Sequence, residues 1–225
     1  MLLTDVETET NRLGRAQATH AAAPGRVRYP RLVWVGALMA SLAIATSAHY
    51  PVLVDGISSP ERAEVIEDVN RARAFFGRLE PRQVDYFRFD GASGQRVTLE
   101  ILVPQREELR GFRPEVTIAG PGLSDDCGDL PVEAAGCRRV PSSAAPARTY
   151  EGYTQSYYWS YAATGEPNST VNLPAGGTFL VAVRADDDVS EGPYALGFGN
   201  EQRFGVSEVL GFPLQWVSAR LWYFS

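Results

Sequence analysis

The sequence predicts a mainly β protein, a β-sandwich whose sheets each have one buried face and one solvent-exposed face. Within residues 83–103, apolar side chains occupy alternate positions on both sides of the turn Gly91–Gly94. Successive side chains of a strand point to opposite faces, so a period of two is typical of strands with one buried face. The alternating residues are Phe87, Phe89, Val97, Leu99, Ile101 and Val103. We therefore expect a hairpin of two antiparallel strands here.

A second pair of strands repeats this design in the C-terminal half. One strand follows the turn Pro174–Gly177 and the other follows Gly192-Pro193. The alternating apolar residues are Phe179, Val181, Val183, Tyr194, Leu196 and Phe198. Short alternating runs bounded by glycine, proline and aspartate are typical of antiparallel β-sandwiches.

Four motifs in these strands resemble one family of bacterial domains. They are Gly77-x-Leu79, Asp85-Tyr86-Phe87-x-Phe89 followed by Gly94, Leu173-Pro174-Ala175-Gly176-Gly177-Thr178-Phe179, and Gly192-Pro193-Tyr194-x-Leu196. In their order and spacing they are similar to the pre-peptidase C-terminal domain family. The resemblance implies a small antiparallel, jelly-roll-like sandwich, appended to secreted peptidases or found on other extracellular proteins. It covers residues 74–200, with an inserted loop at about 120–167 that is longer than the family pattern.

An apolar segment precedes the predicted domain. Residues 1–31 form an arginine-bearing leader, and residues 32–50 contain no charged side chain. Small residues end the apolar run, which suits cleavage of a signal peptide after Ala48, whereas retention makes the segment a membrane anchor. The arginines before the run stay in the cytoplasm, so both alternatives deliver the rest of the chain to the outside. We expect residues 51–73 to be a linker that contains a short helix or a short strand.

Charge and histidine content exclude several functions. All 21 basic residues are arginine and the net charge is −6, which argues against lysine chemistry and against nucleic-acid binding, since phosphate contacts need clustered cations. His20 and His49 precede the predicted domain, so histidine-dependent catalysis and histidine-ligated zinc are excluded for it. A carboxylate pair remains as a route to hydrolysis. We expect a protein that is not an enzyme, with a carboxylate-dependent hydrolase as the alternative.

Two cysteines lie in the predicted insertion. Cys127 and Cys137 are the only two in the chain, and outside the cytoplasm such a pair most often forms a disulfide. Zinc binding is the alternative, but zinc needs four ligands, and no histidine or further cysteine lies nearby. We expect a disulfide that fastens the insertion.

Two clusters of aspartates carry the oxygen ligands that calcium prefers. One is Asp186-Asp187-Asp188 between the last two predicted strands, and the other surrounds Cys127, at Asp125, Asp126 and Asp129. Calcium takes six to eight oxygen ligands, and neither cluster has the alternating spacing of a dedicated loop. A polar turn is therefore the alternative, and calcium bound at residues 186–188 is the one cofactor prediction.

Aromatic side chains are dense in residues 150–161. A surface of this kind suits stacking on sugar rings or on a protein partner. We predict that Tyr157 and Trp159 make such contacts. The alternative is that they close one end of the sandwich.

Residues 201–225 depart from strand periodicity and predict an amphipathic helix. Apolar side chains share one helical face at Val206, Leu210, Leu214, Val217, Leu221 and Phe224. No charge lies between Glu208 and Arg220, and the tryptophans are residues typical of membrane interfaces. We predict contact with a membrane or with a membrane-protein partner at Leu210, Leu214, Trp216, Val217, Leu221 and Trp222. Packing of the helix against the sandwich is the alternative.

These patterns predict a non-catalytic binding or accessory domain outside the cytoplasm, either anchored to a membrane or secreted. Protein–protein contact in a membrane complex is the main functional expectation. A calcium- or carbohydrate-binding module that acts alone is the alternative.

Overall fold

The computed structural model describes residues 49–130, 132, 136–140, 146–161, 170–185 and 187–225. The predicted leader and residues 32–48 of the predicted signal or anchor segment lie outside these ranges. Twelve strands and one α-helix are present in the described chain, which confirms the mainly β class with a C-terminal helix. The strands are β1 Tyr50–Leu53, β2 Glu64–Val65, β3 Arg73–Leu79, β4 Val84–Gly91, β5 Arg96–Pro104, β6 Pro114–Ala119, β7 Cys137–Val140, β8 Ala147–Glu151, β9 Ser156–Ser160, β10 Thr170–Asn172, β11 Gly177–Ala185 and β12 Gly192–Phe198, and the helix is α1 Val206–Tyr223.

The strands form two sheets that enclose a common core. The seven-stranded sheet has the order β1-β3-β12-β5-β9-β8, with β10 beside β5, and the five-stranded sheet has the order β2-β4-β11-β6-β7. The consecutive strands β4 and β5 lie in different sheets, so the expected hairpin is wrong. Alternation turns the apolar side of each strand to the core whether two strands pair or face each other. It therefore cannot distinguish these two arrangements.

The sheets are mixed rather than purely antiparallel. β1 runs parallel to β3, and β2 runs parallel to β4. Most of β1 and all of β2 come from residues 51–73, which the sequence analysis assigns to a linker. Of the two alternatives that the sequence leaves open here, a short strand is present at Glu64–Val65, and a 3-10 turn precedes it at Pro60–Arg62. Both strands are short and lie at sheet edges, so they carry too few residues to show a clear alternation.

The core between the sheets consists of the residues that alternate in the sequence. All twelve alternating residues named above, from Phe87 to Phe198, are at most 2% exposed. The rings of Phe75 and Phe87 meet edge-on with centroids 5.3 Å apart, and those of Phe89 and Phe179 stack at 5.4 Å. Ring pairs of these geometries stabilise the core beyond the area that they bury.

A buried carboxylate links the two sheets. Asp85 on β4 is 2% exposed, and its Oδ2 accepts a hydrogen bond of 2.7 Å from the Tyr194 hydroxyl on β12. Its Oδ1 accepts a second bond of 2.6 Å from the Gln83 side-chain amide. Desolvation raises the pKa of the Asp85 carboxyl above its usual range, and it also raises the pKa of the Tyr194 hydroxyl. A Cβ atom at Gly77 would lie only 2.7 Å from the Tyr194 hydroxyl oxygen, which explains the glycine of the first motif.

Candidate functional site

The ends of α1 are defined by local hydrogen bonds. At its start, the backbone N–H of Gly205 donates to Oε2 of Glu208 at 2.7 Å. This is one of the two bonds of a capping box. At its end, the N–H of Phe224 donates to the carbonyl oxygen of Leu221 at 3.2 Å. Pro213 lies inside the helix and removes one N–H from its backbone ladder.

One face of α1, the inner face, packs against the outer side of the seven-stranded sheet. The helix contributes Phe212, Ala219, Trp222 and Tyr223, and the sandwich contributes Phe76, Leu102, Tyr153, Tyr158 and Ala195. The rings of Trp222 and Phe76 meet edge-on with centroids 4.6 Å apart. The helix therefore forms a third layer of the domain, as the packing alternative of the sequence analysis states.

Hydrogen bonds fix the orientation of the inner face. Three aromatic side chains donate to backbone carbonyl oxygens across this layer: Trp222 to Gly77 at 2.8 Å, Tyr153 to Phe212 at 2.7 Å, and Tyr223 to Tyr157 at 2.9 Å. Desolvation raises the pKa of the Tyr153 and Tyr223 hydroxyls, so both stay protonated and act as donors. A rotation of the helix about its axis would break these bonds.

The two charged side chains of α1 are also tied to the sandwich. Glu208 forms an ion pair with Arg71 near the start of the helix. Near its end, Nη1 of Arg220 donates to the carbonyl oxygen of Thr154 at 3.0 Å and to the hydroxyl of Ser156. Glu208 is therefore held away from solvent, whereas the guanidinium carbon of Arg220 also lies 5.1 Å from the ring centroid of Phe224.

The solvent side of α1 carries a continuous apolar row, which we call the outer row. Its side chains are 48 to 79% exposed. The outer row consists of Val206, Leu210, Leu214, Val217, Leu221 and Phe224. Monomeric proteins rarely expose apolar patches larger than a few hundred Å², and larger patches mark interaction sites.

The predicted contact residues of the helix divide between its two faces. Leu210, Leu214, Val217 and Leu221 belong to the outer row. Trp222 lies on the inner face and is 8% exposed, and Trp216 is partly buried against the same cluster. The helical-face pattern therefore places the aliphatic residues on the solvent side, but it does not predict that the tryptophans pack on the sheet.

The predicted aromatic surface also divides. Tyr157 on β9 is 42% exposed, and the guanidinium carbon of Arg148 lies 3.7 Å from its ring centroid. Trp159 is partly buried and packs against the core between the sheets, as expected if it closes part of the sandwich. Alternation along β9 explains why these two residues have different neighbours from Tyr158 between them.

The sequence indicates that the outer side of the seven-stranded sheet is covered, although alternation alone does not show this. In β12 the outward positions hold the small residues Ala195 and Gly197. In β3 and β5 the runs Phe75-Phe76 and Ile101-Leu102-Val103 are apolar at consecutive positions. Strands that are apolar on both faces are typical of sheets that are covered on both sides.

The described chain enters the domain beside α1. Tyr50 begins β1, and its ring meets Phe212 of the helix edge-on with centroids 5.7 Å apart. The predicted signal or anchor segment is therefore joined to the domain next to α1. No helix within the described ranges combines the length and the apolar character that crossing a membrane requires.

His49 belongs to the folded domain, in contrast to the expectation that both histidines precede it. Its Nε2 lies 3.0 Å from the carbonyl oxygen of Gly199. It lines a cavity of about 60 Å³ with Glu100 and Glu151. The Glu151 carboxylate accepts hydrogen bonds from the backbone N–H and the hydroxyl of Thr154, and Glu100 accepts one from a serine hydroxyl.

The predicted disulfide between Cys127 and Cys137 is confirmed. Leu130, within the loop that the bond closes, packs with Tyr86 and Ala182 on the outer side of the five-stranded sheet. The bond therefore fastens a small apolar cover over this sheet.

The acidic cluster at 186–188 is described in part, since Asp186 lies outside the described residues. The Asp187 carboxylate accepts a hydrogen bond of 2.8 Å from the Ser190 hydroxyl, which lowers the pKa of Asp187. Asp188 lies 3.7 Å from Arg82 in an ion pair. No group of three or more metal-binding side chains occurs in the part of the chain that the structure describes. Calcium at this cluster stays a prediction.

Comparison with known proteins finds likeness among solved structures alone. No protein-family model matches the chain, and no curated protein matches it. The chain is similar to PliG, a periplasmic inhibitor of g-type lysozyme from Salmonella Typhimurium, with 16% identity and a TM-score of 0.36 over 61% of this chain and 98% of that chain. A PliG mutant from Escherichia coli matches with 14% identity and a TM-score of 0.35 over 68% of this chain and 98% of that chain.

The pre-peptidase C-terminal domain of a collagenase from Bacillus anthracis is also among the similar structures. It has 16% identity and a TM-score of 0.33, over 61% of this chain and 95% of that chain. That domain belongs to the family that the sequence motifs resemble. At these TM-scores the matches carry no information about the partner or the activity of this chain.

Proposed function

We propose that this protein is a non-catalytic accessory domain on the outer side of a membrane, tethered there by the apolar segment within residues 32–48. It acts by protein–protein contact in a membrane complex, and the outer row of α1 is its contact surface.

The exposure of the outer row carries this proposal. The inner face of α1 is already held by the sandwich through aromatic packing and hydrogen bonds, so the helix cannot hide its second apolar side by rotating. A helix with apolar residues on two sides is typical of a buried helix. The outer row is therefore suited to be covered by another molecule.

Two further observations support the location. Disulfides persist in oxidising compartments outside the cytoplasm, which fits the bond between Cys127 and Cys137. Tyr50 packs against Phe212 on the inner face of α1, so the predicted anchor segment would join the domain beside the helix that carries the proposed contact surface. A surface close to the membrane favours a partner that is itself a membrane protein.

Photo-crosslinking in intact membranes tests this function. A photo-reactive residue is placed at Leu214 in the outer row of the full chain, and a matched control is placed at Val189, which is 77% exposed between β11 and β12. We expect a discrete protein adduct from position 214 and none from position 189. Adducts with lipid alone, or no adduct at position 214, would contradict the proposed contact.

The calcium- and carbohydrate-binding alternatives remain predictions of the sequence. Calcium bound at residues 186–188 would raise the melting temperature, because a ligand that binds the folded state alone stabilises it. A melting temperature that stays unchanged at millimolar calcium would exclude that alternative.

A further inference from the structure

We propose that the molecule that covers the outer row is a second copy of this chain, paired with the first through an antiparallel contact between the two α1 helices. This inference rests on the proposed function, because it names the protein that meets the contact surface. In this proposal, two copies of the accessory domain form a homodimer.

The spacing of the outer row fits a two-fold contact. Taken from the midpoint between Leu214 and Val217, Leu210 and Leu221 lie at equal distances along the helix. The outermost members, Val206 and Phe224, lie at distances that differ by one residue. In a two-fold interface residue i contacts residue j and residue j contacts residue i, so a row with nearly symmetric spacing can pair with its own copy.

The resulting pairs have compatible sizes. In an antiparallel pair, Leu214 of one copy lies opposite Val217 of the other, and Leu210 lies opposite Leu221. The intervals of three and four residues from Leu210 to Phe224 are those of helices that pack side by side with interlocking side chains. At the two ends, the small Val206 meets the large Phe224.

The charge pattern removes the main obstacle to self-association. The outer row contains no charged residue, and the two charges of α1, Glu208 and Arg220, are held by the sandwich. A second copy therefore meets no like charge at the centre of the row, and Arg220 approaches the row only at the Phe224 ring. The antiparallel orientation also brings the positive start of each helix dipole near the negative end of the other.

The size of the outer row is adequate for a dimer. Six large apolar side chains with exposures of 48 to 79% amount to about 700 Å² per copy, close to the about 800 Å² per partner that a specific interface buries. The inner face of each helix contacts its own sandwich, so the two sandwiches lie on opposite sides of the helix pair. They do not obstruct the contact.

Cysteine crosslinking of the full chain, extracted in a mild detergent, tests both the partner and the orientation. The only native cysteines are joined to each other, so an introduced cysteine is the single free thiol. Two differently tagged copies are co-expressed, one with Leu210→Cys and one with Leu221→Cys, and are then oxidised. We expect a covalent dimer from this combination and little from Leu210→Cys combined with itself. Those two copies of position 210 would be about 16 Å apart along an antiparallel pair, at 1.5 Å per residue.

A second measurement does not depend on the cysteines. We expect native mass spectrometry of the unmodified chain to give a dimer. Combined replacement Leu214→Gln and Val217→Gln is expected to raise the dissociation constant at least about tenfold, since both replacements remove apolar area that the interface would bury at its centre. Val189→Gln serves as the matched control and is expected to leave the dimer unchanged.

The possible results separate this inference from the proposed function. Crosslinking of position 210 with itself overturns the antiparallel pair. A monomer whose position 214 captures a different protein overturns the homodimer and leaves the proposed function intact. A monomer whose introduced cysteines at positions 210 and 221 react freely with water-soluble thiol reagents in the membrane overturns both.

Discussion

The seven-stranded sheet is covered on both sides, but the two covering layers differ in construction. On its inner side, the contact with the five-stranded sheet is mainly apolar, through residues such as Phe75, Leu99 and Leu196, and the hydrogen bond from Tyr194 to Asp85 is an exception. On its outer side, α1 is attached by aromatic side chains that also make hydrogen bonds. Trp222 and Tyr223 each donate to a backbone carbonyl oxygen while their rings pack on the sheet.

This difference shows how the molecule separates stability from orientation. The free energy of apolar burial is roughly proportional to the buried area and does not depend on direction. The contact between the two sheets, which we call the inner layer, therefore mainly stabilises the fold. Hydrogen bonds require defined distances and angles. The contact between α1 and the seven-stranded sheet, which we call the outer layer, therefore selects one rotation of α1. That rotation keeps the outer row in solvent. The exposure of the row is therefore a consequence of how the inner face is held.

The largest loss in the free energy of unfolding is expected from a substitution in the inner layer. Phe198 is fully buried, with its ring 6.0 Å from that of Phe75 and 6.3 Å from that of Phe89. Replacement Phe198→Ala removes these contacts and leaves a cavity, so the free energy of unfolding should fall by about 3–5 kcal/mol. Urea titration followed by circular dichroism measures it. A loss below about 1 kcal/mol would show that the inner layer is loosely packed.

The next effect is expected in the outer layer. Trp222→Ala removes the contact with Phe76 and the hydrogen bond to Gly77, with an expected cost of about 3 kcal/mol. The cost should appear as detachment of α1, so its amide hydrogens should exchange faster while those of β11 keep their protection. The matched variant Trp222→Phe keeps an aromatic ring and should lose only about 1 kcal/mol for the hydrogen bond. If amide hydrogen exchange became faster to the same extent in α1 and in β11, the two layers would unfold as one unit.

A smaller effect is expected at the buried carboxylate of the inner layer. Asp85→Ala leaves the Tyr194 hydroxyl without its partner in the core, which should cost about 1–3 kcal/mol. Asp85→Asn keeps an acceptor for that hydroxyl and should cost less. The same urea titration compares both variants, and an equal cost for alanine and asparagine would show that this hydrogen bond contributes little.

The pH dependence of this site has a defined sign. Burial raises the pKa of the Asp85 carboxyl from its usual value of 3.8, so the folded state binds this proton more tightly than the unfolded state. Its contribution to the free energy of unfolding is therefore largest below pH 3.8 and falls as the pH rises through the raised pKa. Asp85→Asn lacks this dependence, so its stability relative to the native protein should improve with rising pH across that window. Parallel curves for the two proteins would contradict the raised pKa.

The smallest effect is expected in the outer row. Leu214 is 76% exposed, so Leu214→Gln should change the free energy of unfolding of the dilute monomer by no more than about 0.5 kcal/mol. The same titration at low protein concentration measures it. A loss as large as that of Trp222→Ala would mean that Leu214 packs within its own domain.

Much of the fold follows from the sequence, because the residues of the core between the sheets lie at alternate positions of their strands. Phe87, Leu99 and Val181 face the core as their positions predict. The pairing of strands does not follow, because β4 and β5 bury the same side chains whether they lie in one sheet or in two. The short parallel strands β1 and β2 are also not predictable, since their partners are distant in sequence and only the closed structure reveals them.

The candidate site follows from the sequence in part. Helical spacing correctly collects the residues of the outer row, including Leu210 and Leu221, on one face. It does not reveal that Trp222 points inward, because the hydrogen bond that holds it ends on a backbone carbonyl, at Gly77. Backbone acceptors have no sequence signature. The small outward residues Ala195 and Gly197 are the available hint that a helix covers this sheet.

The start of β1 has a consequence for the distance that the domain can reach. Tyr50 is already paired with β3 and packed on Phe212, so under the proposed tethering almost no free chain separates the anchor from the sandwich. Without a flexible linker, the domain can neither rotate through a wide angle nor extend away from the membrane. Any partner then has to present its own contact surface close to the bilayer. A flexible glycine–serine insert at the junction would allow the domain to rotate relative to the anchor and to move away from the membrane.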